Sequence, residues 1–400
     1  MRRFALVPVL LVLIIGSGFS LDFGLVTDQK VEAEKGESRI DHFLYTPSLT
    51  PWFSWNGGRG LSVYLSALLS LTYHNYSNND VGGWDKPLLL PELSRFALSY
   101  RNPRFAVEAG RIFYTDALGF TAAGLFDGLR FEAALPVGTL SAGAYYTGLL
   151  YKETAQILMT EADVVNYAEP WDWDTFSSYF ASRRVFGAIR WDMPLSEFNA
   201  FSFETVFQFD LNENDQALHT QYAQILFDFF FKNSTRLSAG VLFEAMEREE
   251  NFAAALGLLV RLGMDIPGSL NDRLQITLEC TSGSWNDTFA VFIPISSPAQ
   301  GMIFPETTAG LGTASIDYNA RISPSLYAGA ALRYFTMTYD DPAVDGYLYG
   351  GEFWASLAWQ PFEDVRLNLG GGMFFPGLGN VYSSDTGPMW KVRAVLSISL

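Results

Sequence analysis

Apolar and polar residues alternate with a period of two along most of this chain. In 61–74, Leu61, Val63, Leu65, Ala67, Leu69, Leu71 and Tyr73 fall on one face, opposite Ser62, Tyr64, Ser66, Leu68, Ser70, Thr72 and His74. In 201–211, Phe201, Phe203, Phe207, Phe209 and Leu211 oppose Ser202, Glu204, Gln208 and Asp210. In 274–281, Leu274, Ile276, Leu278 and Cys280 oppose Gln275, Thr277, Glu279 and Thr281. A period of two is that of a β-strand, whose successive side chains point to opposite faces. Eighteen segments follow it: 21–31, 40–55, 60–74, 92–101, 104–113, 125–135, 139–150, 183–193, 198–211, 219–232, 235–246, 253–265, 272–282, 312–322, 325–337, 347–360, 364–374 and 388–400.

A soluble sandwich would alternate in the same way, so the connections decide between the two. Tight turns are read at Asn102-Pro103, Pro136-Val137-Gly138, Lys232-Asn233-Ser234, Ser323-Pro324 and Pro361-Phe362-Glu363. Long connections are read at 75–91, 114–124, 151–182, 283–311, 338–346 and 375–387, with the polar run 31–39 joining the first two strands. The two kinds alternate along the chain. Short periplasmic turns and long outer loops are the known asymmetry of outer-membrane barrels. The fold class expected is therefore all-β: a transmembrane, antiparallel, up-and-down barrel of about eighteen strands, with both termini periplasmic.

The first residues support export. Arg2 and Arg3 precede an apolar run, Phe4 to Ile15, too short to span a bilayer as a helix, and Gly18-Phe19-Ser20 supplies small residues for cleavage. Residues 1–20 are expected to be a signal peptide and 21–400 the barrel. No later stretch reaches the ~18 apolar residues of a membrane helix. Charged residues are only 17% and aromatics 16%, where a soluble domain carries about 25% charged. Removing Arg2 and Arg3 takes the net charge from −17 to −19, which argues against nucleic acid as a partner. The lone Cys280 excludes an intrachain disulfide. The three histidines, at 42, 74 and 219, have no metal-type spacing, and neither a GxSxG elbow nor a P-loop is present. No enzyme activity and no cofactor are expected. The expected location is the bacterial outer membrane, and the partners are its lipid, small solutes and, through the C-terminal strand, the barrel-assembly machinery. The barrel is expected to be a monomer.

Alternation also sorts the charges. A charge aimed at lipid at the bilayer midplane costs ~2–4 kcal/mol, so charges on the polar face are assigned to the interior. Channel-lining candidates are Arg95, Arg130, Glu132, Arg190, Glu204, Asp228, Arg261, Glu279, Arg333, Glu352 and Arg393. Arg130, Arg333 and Arg393 sit nearer mid-strand and are expected at a constriction, faced by carboxylates of the strands or of loop 151–182. That loop carries Glu153, Glu161, Asp163, Glu169, Asp172 and Asp174. Loop 283–311 is apolar enough, through Phe289, Val291, Ile293 and Ile303, to pack against something.

The run GRIFYTDALGFTAAGLFDGLRFE at 110–132 couples a Gly-Arg strand to a following Asp-Gly-Leu-Arg strand. It resembles the alginate-export and OprD-type porin group. The resemblance implies eighteen strands, a channel-facing Arg111, and Asp127 and Arg130 on the partner strand. Basic ladders in that group guide carboxylate-bearing substrates, whereas the outer loops here are acidic. The final strand, Trp390 to Leu400, resembles the sorting signal of such barrels, with Leu400 where the group usually ends in Phe.

The expected function is passive diffusion of small hydrophilic solutes, among them carboxylate-bearing or zwitterionic ones. Two alternatives stand beside it: a transporter of hydrophobic molecules, and a surface-exposed structural or adhesive barrel with a closed lumen.

Overall fold

The computed structural model describes residues 20–36, 41–77, 83–84, 87–171, 173–212, 217–231, 234–248, 251–268, 270–284, 289–341, 344 and 346–400. Residues 1–19, which hold most of the expected signal peptide, Asp172, part of the 31–39 connection and part of the 232–234 turn lie outside them.

Eighteen strands close into a barrel. They are β1 (Ser20–Lys35), β2 (Asp41–Asn56), β3 (Leu61–Ser77), β4 (Leu88–Arg101), β5 (Phe105–Thr115), β6 (Ala123–Leu135), β7 (Gly138–Tyr146), β8 (Arg184–Ser196) and β9 (Asn199–Asp210) in the first half. The second half holds β10 (Leu218–Phe231), β11 (Thr235–Arg248), β12 (Asn251–Ile266), β13 (Asp272–Thr281), β14 (Leu311–Ser323), β15 (Leu326–Met337), β16 (Leu348–Phe362), β17 (Val365–Phe375) and β18 (Met389–Ser399). A two-residue piece, Gly83–Trp84, adds to the end of β3. Each strand pairs antiparallel with the next, and β1 closes on β18 from Val26↔Ser399 to Lys35↔Trp390. Closure brings the first and last strands together, so that the sheet has no terminal edge, the condition a bilayer imposes.

The eighteen segments read from the sequence correspond one to one with these strands. Three differ by four residues at one end, among them β4, which begins at Leu88 and not at 92. β1 runs on through Glu32 to Lys35, because Lys391 and Arg393 of β18 supply the opposite charges that a polar strand end requires. β7 stops at Tyr146 rather than 150, where Thr147 begins to bond Ser182 and Arg184 across the loop.

Connections alternate as expected. The described tight turns all lie at one end, together with Ser20 and Leu400, whose N–H donates to Leu25 O at 2.8 Å. The turn at Gly58, Arg59 and Gly60 shows why it has its sequence: all three have positive φ, and a Cβ on Gly60 would collide with Arg101 O.

The faces separate by alternation. On β9, Phe207 and Phe209 are 38% and 50% exposed, while Glu204, Val206 and Gln208 are 1% or less. On β12, Leu258 and Val260 face out, and Leu259 is buried. The apolar side therefore points outward around the wall, which inverts the soluble arrangement. No helix among the described residues is long and apolar enough to cross a membrane. The belt of outward Phe and Leu is what crosses it.

This assignment is testable. Val260→Arg places a cation on the outer face mid-strand and should cost about 2–4 kcal/mol. Gln275→Arg, on the inner face of the next strand, should stay within about 0.5 kcal/mol. Urea titration of protein refolded in lipid vesicles measures both, and equal costs would contradict the assignment of faces.

Candidate functional site: a charged lumen narrowed by three loops

Three sets of paired charges line the inner wall. The first spans β4 to β8. Arg130 Nη2 meets Glu108 at 2.7 Å and its Nε meets Glu132 at 3.5 Å, while Arg95 reaches the other Glu108 oxygen at 3.5 Å. Arg95 also lies over the Tyr64 ring, 5.4 Å from its centroid. Arg190 Nε pairs with Asp192 at 2.9 Å, and Ser202 donates to the same carboxylate at 2.6 Å. The second set spans β12 to β16: Arg261 with Glu279 at 3.5 Å, and Arg333 with both Asp317 and Glu352 at 3.3 Å. The third closes the barrel: Arg393 with Glu32 at 3.5 Å, and Lys391 with Glu34 at 2.9 Å. Asp228 is paired with Arg236 at 2.9 Å on β10 and β11.

Pairing fixes the wall but leaves the cations reachable. Arg130, Arg190 and Arg333 retain 29%, 29% and 21% of their side-chain exposure. One lumen cavity of about 270 Å³ is lined by Arg130, Glu132, Arg190, Asp192, Tyr145 and Glu204. A second, of about 300 Å³, runs toward the tight-turn end past Ser62, Ser99, Arg101 and Glu108, and shares Arg130 and Glu132 with the first. A third, of about 360 Å³, lies on the other side against Arg261, Glu279, Asp317 and Arg333.

The other end of the lumen is narrowed by three inward loops, each held by buried wall carboxylates. Loop 116–122 forms around Asp116, which accepts N–H groups from Gly119, Phe120, Thr121 and Ala122 at 2.9–3.2 Å. Burial raises this carboxyl above the usual carboxylate range, although those donors pull it down. The loop is pinned by Glu204, which accepts Ala117 N–H at 2.6 Å and the Tyr114 hydroxyl at 2.9 Å. Loop 282–310 is pinned twice. Glu244 accepts Ile293 N–H at 3.0 Å, and Glu352 accepts the N–H groups of Met302, Ile303 and Phe304, each at 2.9 Å.

Loop 147–183 contains a four-residue helix, α1 (Lys152–Ala155), and α2 (Glu161–Ala168), which starts with a Thr160/Asp163 capping box. Asp163 meets Arg184 of β8 at 2.6 Å, and Arg184 also meets Asp210 at 3.1 Å, with all three side chains at most 1% exposed. Cutting one partner of a buried set strands the others, so this triad locks the loop. The loops then bond one another: Ile295 N–H to Thr121 O, and Ser297 N–H to Gln156 O. Leu118, Phe120, Ile157, Phe292 and Ile295 fill the space between them as a buried apolar cluster.

Each residue expected in the channel can now be placed. Arg95, Arg130, Glu132, Arg190, Arg261, Glu279, Arg333 and Arg393 are on the inner wall and joined into the three sets. Asp228 is on the inner wall, paired to Arg236. Glu204 and Glu352 are also on it but lie beneath loops, 1% and 2% exposed, as anchors. Arg111 and Asp127 depart from the expectation. They share the phase of outward Phe105, Phe113, Leu129 and Phe131, so their 2.8 Å pair is set in the wall and not in the lumen. Of the described acids of loop 151–182, Asp163 is taken by Arg184 instead of facing Arg130 or Arg333. Arg184 was missed, although stepping inward by twos from Arg190 through Ala188 and Phe186 reaches it.

This fold and its outward apolar belt define a bacterial outer-membrane β-barrel. No protein-family model matches the chain, and no curated protein matches it in sequence. Solved structures do match in fold, and they are OprD-type outer-membrane porins. Pseudomonas aeruginosa OccK5 (OpdH) is 10% identical with TM-score 0.61, over 95% of this chain and 98% of its own. Pseudomonas aeruginosa OccK7 (OpdD) is 13% identical with TM-score 0.61, over 96% and 99%. Pseudomonas aeruginosa OccK2 (OpdF) in complex with glucuronate is 12% identical with TM-score 0.57, over 95% and 98%.

The anchoring scheme makes a direct prediction. Glu352→Ala leaves three loop N–H groups without their acceptor and removes one of the two carboxylates paired with Arg333. A buried donor left unpaired costs about 1–3 kcal/mol, so the 289–305 segment should detach. Limited proteolysis should cut there in the variant at least tenfold faster than in the parent, while strand peptides stay protected.

Proposed function

We propose that this chain is a narrow outer-membrane channel for small hydrophilic solutes, with a preference for solutes that carry a carboxylate or both charges. The observation that carries this reading is the position of Arg130. It lines two adjoining lumen cavities, remains partly exposed, and is flanked by Glu108 and Glu132 rather than by a second cation. A solute carboxylate gains a charge-assisted bond to Arg130 or Arg190 in a space where water is scarce. The neighbouring carboxylates suit an amino group on the same solute. Glucuronate, bound to the similar barrel OccK2, is a small acid of this kind. The three inward loops restrict the outer half, so the channel selects instead of admitting solutes by size alone. The apolar packing of those loops is what favours the rival reading, a closed structural barrel.

Single-channel recording in planar bilayers across a salt gradient separates the two. The parent should conduct, and Arg130→Ala and Arg333→Ala should each shift the reversal potential toward cations. Arg130→Ala should also slow flux of a sugar acid about tenfold, equivalent to about 1.4 kcal/mol. Unchanged conductance and reversal potential in both variants would remove these arginines from a conducting path, and a silent parent would favour the closed barrel.

A further inference from the structure

Among the described residues, the barrel wall parts between β4 and β5. β4 and β5 pair only from Phe96↔Arg111 to Arg101↔Ala106. Beyond that point, β4 continues from Arg95 to Leu88 along β3, and β5 from Ile112 to Thr115 along β6, but the two do not pair with each other. The parting is written into the backbone. Gly110 sits at the last pairings with φ +123°, and a Cβ there would strike Phe96 O. Ser94 is a bulge residue, left without a partner between Leu93 and Arg95. Pro91, whose carbonyl faces the gap, has no N–H to offer a strand there.

An open sheet edge at membrane depth must be satisfied by other groups. Here side chains do it. Arg111 Nη1 donates to Leu93 O at 2.5 Å and Nη2 to Leu149 O at 2.9 Å, with its other bonds to Asp127. From the lumen side, Arg130 Nη1 donates to Phe113 O at 3.3 Å. Tyr179 donates to Pro91 O at 2.8 Å, and an aromatic cluster of Tyr151, Trp171 and Tyr179 packs on Leu88 and Leu90. The seam is therefore closed by a loop and by side chains, not by a hydrogen-bonded ladder.

What lies behind it suggests a ligand. The 270 Å³ cavity reaches the free edge of β5 at Phe113 and Thr115. Its lining combines apolar Phe113, Tyr114, Tyr145 and Ala188 with Arg130, Arg190, Glu132 and Asp192, and Arg130 itself reaches the seam at Phe113 O. On the outside, Leu93 and Phe113 are 41% and 51% exposed. Apolar surface thus runs along the lipid face to the seam, and the chamber behind it carries both signs of charge.

We infer that the β4–β5 seam is a lateral entrance, and that the chamber behind it binds an amphipathic molecule with a zwitterionic head and an apolar tail drawn from the outer leaflet. The head meets Arg130 and Arg190 with its anionic group and the flanking carboxylates with its cationic group, while the tail lies toward Phe113. Arg111 is the latch. The inference rests on the reading of the lumen as a conduit for its first test but not for its second.

In the first test, a fluorescent alkylphosphocholine dissolved in a planar bilayer should block the parent's current. Arg111→Met should speed the onset of block at least fivefold and leave the unblocked conductance unchanged. An alcohol with the same tail should block at least tenfold less. Equal onset rates, or block by the alcohol as strong as by the zwitterion, would overturn the inference. The second test uses the unmodified protein in lipid nanodiscs and hydrogen exchange. Gap-facing amides within 88–95 and 112–115 should exchange at least tenfold faster than those of β10, and the alkylphosphocholine should protect them. Protection without any conductance would uphold the seam and reject the channel. Conductance without protection would do the reverse.

Discussion

A backbone amide in a bilayer must find its partner within the protein. That single constraint accounts for more of this molecule than any side-chain contact does. It requires the sheet to close, so β1 must meet β18. It leaves the hydrogen-bonding of the wall independent of side-chain identity, which frees the outer face to be uniformly apolar and the inner face to be polar. It also explains where the buried acids are. The inward loops have no ladder of their own, and Glu204, Glu244 and Glu352 accept the N–H groups that would otherwise be orphaned. Where the ladder fails, between β4 and β5, arginine and tyrosine take over the same task.

The inner wall shows a second economy. Several luminal cations are matched by a carboxylate on a neighbouring strand, some directly opposed, as in Glu108↔Arg130 and Arg393↔Glu32, while Arg190 pairs with Asp192 on its own strand. Such pairs contribute little to stability when half exposed. Their effect is to hold long side chains in one position and to keep the local field short-ranged, alternating in sign around the circumference. A lumen built this way discriminates by the arrangement of charge on a solute more than by its net charge.

The sequence discloses the wall better than its contents, for a physical reason. Strands have a strict period, so Phe207 and Gln208 announce their faces, and Arg130, Arg190, Arg333 and Arg393 could be turned inward by counting. Loops have no period. Nothing in Glu352 or Met302 shows that residues about fifty positions apart will meet, and Glu204 looked like a channel residue because its loop partner could not be foreseen. Arg111 and Asp127 teach a different lesson. Resemblance put them in the channel, yet their own neighbours Phe105, Phe113, Leu129 and Phe131 carry the phase that places them in the wall. The seam left only faint marks, Pro91 and Gly110, each ordinary until the missing pairing is seen.

The closing pair β1–β18 also governs the order of events in folding. Residues 26 and 399 must meet before the sheet closes on itself, so the wall cannot be completed until β18 has been made. The loops wait longer still. Thr121 bonds Ile295 and Gln224, partners more than a hundred positions away, and these contacts exist only inside a finished cylinder. Loop closure over such separations is entropically costly, and chains dominated by distant pairings fold slowly. The narrowing of the lumen is thus the last structure to form, and the barrel passes through a wide, unobstructed stage on its way to the native state.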